Sequence, residues 1–158
     1  MNKTELVQRV IAQLSNDLEM FFTAAKTAHA AATHEENQPD NKYDTLALEA
    51  SYVAQGQANR AQEIRRSIEA YKLLPLASDG ETVRIASLVV IEAEDGTRKT
   101  LFIGPAAGGL RIAHHQTEIM VITPASPLGR ELIGKGLGDS VKIKTGPNRT
   151  EYVIAEIS

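Results

Sequence analysis

Two apolar seams of the same rhythm, one on each side of a short acidic break, constrain this chain more than any other feature. Val7, Ile11, Leu14, Leu18, Phe21, Ala25, Ala28 and Ala32 follow one another in steps of four and three. That spacing predicts a helix whose stripe packs against a single partner helix, not one sunk in a globular core. From about Lys3 to about His34 such a helix extends roughly 45 Å at ~1.5 Å per residue. Asn2 or Thr4 supplies the start signal. Ala47, Ala50, Ala54, Gln57, Ala61, Ile64, Ile68 and Tyr71 repeat the rhythm until Pro75, which lacks an amide hydrogen, ends it.

Between the seams, His34 to Asp44 reads HEENQPDNKYD, with Pro39, no apolar periodicity and the carboxylates Glu35, Glu36, Asp40 and Asp44. Two matching seams joined by about ten residues predict a long antiparallel coiled-coil hairpin. Near the chain's body the seam offers valine, isoleucine and leucine against Ile64, Ile68 and Tyr71; towards the break it offers only alanine. Alanine lets helix axes approach closely and buries little apolar area, so the distal half is expected to be thin and weakly held. A thin arm with acids at its end suits insertion into something narrow; a dimerising rod is the plainer use of the same pattern.

After LASDGET at Leu76 to Thr82, a polar junction, the period changes from helical to strand-like. Val83 to Glu92 is rich in β-branched residues, Asp95-Gly96 is a hairpin signal, and Lys99 to Ile103 is the returning strand. Leu110 to His114 and Ile119 to Thr123 are read as further strands. Ser126-Pro127 opens a short helix, serine as N-cap and proline at the first helical position, ending near Gly134. Val141 to Thr145 and Glu151 to Ile157 form a last hairpin around GPNR. The fold class is therefore α+β: the hairpin, residues 1–76, followed by a small sheet domain with one short helix, residues 82–158.

Composition narrows the function classes. Aromatic residues make up only 4% and tryptophan is absent, leaving no platform for stacking bases. A net charge of −3 gives no global attraction to nucleic acid, so contact with it needs a local basic patch. Without cysteine there is no disulfide, thiol nucleophile or Cys-based zinc site. MNKTELVQRV holds no signal-type apolar stretch, and no run reaches membrane-spanning length, so a cytoplasmic protein without a membrane partner is expected.

Motifs that suggest a site of the chain's own are weak. Gly104 to Gly109, GPAAGG, lacks the Gly-Lys-Ser/Thr ending of a phosphate loop. His114 and His115, as neighbours on a strand, are expected to point to opposite faces and to be a surface pair rather than metal ligands. His29 and His34 are five apart on a helix, poorly spaced for one ion. No serine–histidine–acid arrangement follows from the spacing.

The stretch Ser126-Pro127-Leu128-Gly129-Arg130-Glu131-Leu132-Ile133-Gly134-Lys135, then Gly138-Asp139-Ser140-Val141, Lys144-Thr145 and Glu151-Tyr152, resembles the C-terminal end of the bacterial Gre transcript-cleavage factors. Asn41, Tyr43, Arg60 and Glu63-Ile64 resemble the family's second helix. The resemblance implies an N-terminal antiparallel coiled coil and a C-terminal FKBP-like domain, and it implies bacterial RNA polymerase as partner. The C-terminal domain then docks at the rim of the polymerase secondary channel, through the stretch holding Ser126, Pro127 and Leu128. The arm enters the channel, where tip carboxylates help hold a second magnesium ion in the polymerase's own active site, and a backtracked transcript is hydrolysed. On this reading the chain is no enzyme, carries no cofactor of its own beyond that shared magnesium, and is a monomer. Arg60, Arg65 and Arg66, with Arg9 and Lys72, correspond to a basic patch that holds the nascent RNA 3′ end; their spacing around the helix equally fits a solvated face.

The tip departs from the family pattern of Gly-Asp-Leu-x-Glu-Asn-x-Glu-Tyr. Anchoring on Asn41 places Asp40 at the tip glutamate, with Glu36 the nearest second acid. Anchoring on Arg60 and Glu63-Ile64 places Asp40 at the tip aspartate. Asp40 holds in both, while Glu36 and Asp44 compete for the second place. Lys42 stands beside them as a neutralising charge, and helix-dipole roles for these acids are the plainer alternative. Two outcomes follow: a cleavage stimulator, with Asp40, Glu36 and Asp44 as its working acids, or a channel binder that modulates initiation or pausing without cleavage. A peptidyl-prolyl isomerase is a rival reading for an FKBP-like domain, but residues 83–158 hold only Phe102 and Tyr152 as aromatics.

Overall fold

The computed structural model describes residues 2–33, 44–145 and 147–158, with side chains at 25, 28–33, 44–53 and 145 left out. Among these, helix α1 is Lys3–Thr33 and α2 is Asp44–Lys72. A six-stranded sheet follows, built from β1 (Leu88–Ala93), β2 (Arg98–Ile103), β3 (Arg111–His114), β4 (Thr117–Ile122), β5 (Ser140–Thr145) and β6 (Asn148–Ile157), with α3 at Pro127–Leu132. The architecture is α+β. Strand order is β3-β4-β2-β1-β6-β5. Every neighbouring pair is antiparallel except β2 and β4, so the sheet is mixed.

The chain divides into two packed units. One is Ile11–Glu69; the other combines the residues up to Val10 with Ala70–Ser158. In the helical unit, Leu14, Ala54, Ala61 and Ile68 are buried. Ile11, Leu18, Phe21, Gln57 and Ile64 are half-buried, and most of the residues between them are exposed. The positions withdrawn from solvent are thus the four-and-three seam, because only that stripe keeps one side of each helix apolar.

The sheet unit buries both faces. On one, Val89, Ile91, Leu101, Ile103, Ile122 and Ile154 cluster with Leu132 of α3. On the other, the register aligns Leu88, Phe102 and Val121 across three strands, all buried. Leu6, Val10 and Tyr71 are fully buried in this same unit. Hydrogen bonds also fasten the start of α1 and the end of α2 within this unit: Lys3 Nζ to the Ala86 carbonyl (3.0 Å), Arg9 Nη1 to the Ala113 carbonyl (2.8 Å) and Tyr71 hydroxyl to the Ala106 carbonyl (2.7 Å). Full burial of each such leucine, valine or phenylalanine side chain contributes about 1.5–3 kcal/mol. Leu6 and Val10 flank the seam instead of lying on it, which is why periodicity alone passes over them.

Three local differences from the sequence reading have clear causes. The strand expected from Val83 begins only at Leu88. Ala86 adopts φ 70°, and the Ser87 amide donates to the Arg84 carbonyl while its hydroxyl accepts from the Arg84 amide, closing a tight turn. Val83 instead exchanges backbone bonds with Gly134 and Lys135. Strand β4 starts two residues early, at Thr117, because β3 and β4 close through the two-residue turn His115-Gln116. Strand β6 likewise begins at Asn148, paired with Thr145.

Elsewhere local chemistry fixes the turns as expected. Gly96 takes φ 87° between β1 and β2, and the Thr97 amide donates to Asp95 Oδ1 at 2.9 Å. At the junction before the sheet, the Glu81 and Thr82 amides donate to Asp79 Oδ1, and these bonds hold its carboxyl below the usual aspartate range. No helix among the described residues is long and apolar enough to cross a membrane.

Candidate functional site

Ser126, Pro127 and Leu128 stand together at the start of α3. Ser126 is extended (φ −67°, ψ 157°), and its hydroxyl accepts from the Gly129 amide at 3.0 Å while donating to the Thr123 carbonyl at 2.7 Å. Pro127 follows at the first helical position, where a missing amide hydrogen costs nothing. Gly129 has no room for a side chain: a Cβ there would collide with the Thr123 carbonyl and the Ser126 hydroxyl. The result is a rigid corner with Pro127 exposed and Leu128 half-buried.

This corner borders a groove of about 740 Å³. Met120, Ile122, Leu128 and Ile143 supply apolar lining, and Lys142, Lys144 and Arg149 supply positive charge, with Glu131 the one acid on its wall. An apolar surface with a cationic border is what a protein segment carrying acidic and apolar residues would recognise. A groove of about 680 Å³ elsewhere on the sheet differs in character. Two of its cations are already ion-paired, Arg111 with Glu118 at 3.2 Å and Arg98 with Glu92 and Glu156 at 3.5 and 3.9 Å, while Lys99 lies over the Tyr152 ring.

In the helical unit, Arg60, Arg65 and Arg66 are all exposed on α2. Arg60 meets Glu63 at 3.4 Å. Its guanidinium carbon lies 5.7 Å from the ring centre of Phe21, and that of Arg65 lies 5.2 Å from Phe22. Periodicity does not pair the phenylalanines with these arginines; the one sequence signal is Phe22, a large apolar residue just off the seam. Asp40 and Glu36 lie outside the described residues. Asp44 is the first residue of α2, and its side chain is likewise outside them. Among the described residues no group of three or more His, Asp or Glu is placed to hold a metal ion.

The loop Gly104 to Gly109 is structural. Its Gly104 and Gly109 amides donate to the Ile122 and Val121 carbonyls, so they are engaged by backbone and not aimed at a phosphate. The histidine pair corrects one expectation. Its members do not alternate across a strand, since His115 lies in the turn at φ 53° and its ring centre comes within 4.2 Å of that of His114. His114 Nδ1 is shielded from solvent and, among the described residues, has no hydrogen-bond partner. Desolvation, then the nearby charges of His115 and Arg9, lowers the His114 pKa below the ordinary histidine value. The sheet unit's aromatics do not build an isomerase pocket: Phe102 is 0% and Tyr152 6% exposed.

Residues 78–158 match the family model for the C-terminal part of the transcription elongation factors GreA/GreB. Over 129 residues the chain is 24% identical to transcription elongation factor GreA of Rhodospirillum rubrum, covering 80% of this chain and 76% of that protein. Among solved structures it is similar to the transcription factor Gfh1, at 26% identity, covering 93% of this chain and 92% of that one with a TM-score of 0.41. GreA factor homolog 1 of Thermus thermophilus matches at 17% identity, 94% of both chains and a TM-score of 0.39. The family match spans the sheet, α3 and the groove beside it. The chain belongs to the GreA/GreB family of transcription elongation factors.

Proposed function

We propose that this protein acts on bacterial RNA polymerase from its secondary channel. Residues 1–76 form an antiparallel coiled-coil arm, and residues 82–158 an FKBP-like domain that docks at the channel rim. The match of residues 78–158 to the GreA/GreB family carries this reading, and the rigid Ser126–Leu128 corner beside the cationic groove supports it. In the complex Asp40, with Glu36 or Asp44 as second acid, helps hold a magnesium ion of the polymerase active site. Carboxylate oxygens are the donors that ion takes, and a second metal stabilises both the entering and leaving oxygens of a phosphodiester. Arg60, Arg65 and Arg66 lie along the nascent RNA 3′ end. The factor works as a monomer in the cytoplasm and assists hydrolysis performed by the polymerase.

The deciding experiment adds wild type and Asp40→Ala to purified polymerase stalled in backtracked complexes. Faster RNA cleavage with wild type and loss of that gain with Asp40→Ala is the expected result. Binding without faster cleavage supports the second reading, a channel occupant that modulates initiation or pausing; the altered tip, with Pro39 and Lys42 among its acids, favours that alternative. Absence of binding overturns both.

A further inference from the structure

Phe22 is 45% exposed and lies off the buried stripe, so burial does not explain it. What it meets is Arg65, whose guanidinium carbon is 5.2 Å from the ring centre, and the preceding Phe21 meets Arg60 at 5.7 Å. Both contacts join α1 to α2 within the one helical unit. We infer that Phe21 and Phe22 are positioning residues: they hold Arg60 and Arg65 in place on the helix surface for the phosphates of a single-stranded nucleic acid. This rests on the proposed function, which puts a nascent RNA 3′ end beside these arginines.

The chemistry favours this arrangement. A ring face attracts the guanidinium as a cation, while the five N–H donors lie around the edge of the guanidinium plane. An arginine over an aromatic therefore keeps donors for a bidentate phosphate contact. It also starts from a restricted side chain, so less rotamer freedom is lost on binding. Lysine at the same positions has neither the fork nor the planar stacking. A chain with net charge −3 has no general attraction for a polyanion, so affinity comes from local, prearranged cations; Arg65 is one, and Arg60 exchanges its exposed partner Glu63, 3.4 Å away, for phosphate.

The test uses the full chain with a single-stranded RNA oligonucleotide at low ionic strength, observing the arginine side-chain Nε–H resonances by NMR. In the free protein the Arg65 resonance carries a ring-current shift that is lost in Phe22→Leu and kept in Phe22→Tyr. Addition of RNA moves the Arg60 and Arg65 resonances, and Phe22→Leu weakens that binding about two- to fivefold. Phe22→Tyr restores the affinity. Helical content and thermal midpoint stay close to wild type in both variants, separating positioning from loss of folding. Unmoved arginine resonances on adding RNA, or equal affinity in Phe22→Leu, overturn the inference. No polymerase is present, so its failure is distinguishable from failure of the proposed function, which polymerase binding decides.

Discussion

The Tyr71 hydroxyl donates to the Ala106 carbonyl at 2.7 Å, and the same phenol lies against Gly104 so closely that a Cβ there would overlap it. The end of α2 is thereby keyed into the loop after β2. Tyr71→Phe removes the donor and leaves a partly buried carbonyl unpaired, an expected loss of about 1–2 kcal/mol in urea unfolding. Gly104→Ala forces its methyl against both the phenol and Val121, and is expected to cost more than ~2 kcal/mol. Burial raises the Tyr71 pKa well above the ordinary value of 10.0. Below that value both folded and unfolded states are neutral and the group contributes no pH dependence. Above it the unfolded state ionises first, so its contribution to stability falls as pH rises.

The cap of α3 gives a sharper test, because a single hydroxyl both accepts from Gly129 and donates to Thr123. Ser126→Ala is expected to destabilise by about 1 kcal/mol, while Ser126→Asp retains the accepting bond and loses less. If the corner is also the docking surface, Ser126→Ala weakens polymerase binding more than its thermal midpoint suggests, measured as affinity at a temperature where both proteins are folded.

Much of this was legible beforehand. A step of four and three marks a helix stripe because 3.6 residues complete a turn, so the seam positions from Ile11 to Phe21 and from Ala54 to Ile68 could be named as the protected ones. Ser126-Pro127 is readable because each residue does one local job at a helix start. The turn at Arg84–Ser87 was not, since alanine at φ 70° carries no glycine or proline signal and is held there by the Arg84–Ser87 bonds together with backbone bonds of Ala86 and Ser87 to Ile103 of β2. Nor was the parallel pairing of β2 with β4, which depends on which strands meet and not on any local pattern. The Phe21–Arg60 and Phe22–Arg65 contacts join residues about forty apart, and spacing within one helix cannot reveal them.

Gln57 shows the cost of one polar residue in that seam. Its Oε1 is buried and, among the described residues, has no hydrogen-bond partner. Gln57→Met keeps the length and volume of the side chain and removes the unsatisfied acceptor, so it is expected to stabilise by about 1 kcal/mol. A rise in the thermal midpoint with unchanged helical content is the measurement.

His114 supplies the pH dependence. Desolvation is the largest cause of its lowered pKa, followed by His115 across the turn and Arg9, while Glu5 opposes them. Arg9 is held in place by Glu5 at 3.0 Å and by the Ala113 carbonyl at 2.8 Å, so its charge cannot readily withdraw. The folded state therefore binds a proton at His114 less readily than the unfolded chain does. Between the lowered folded value and the ordinary 6.5, the unfolded state carries more protons, and stability falls as pH falls. Above 6.5 both states are neutral at this group and the contribution is fully present. Asp79 and Asp95, whose pKa values are lowered from 3.8, lose their contributions only in a separate window below about pH 4. The expected result is a wild-type unfolding midpoint that declines from pH 7 to pH 5, and a shallower decline in His114→Gln, with the two proteins converging at the acid end. An identical slope in both would assign the decline to other groups.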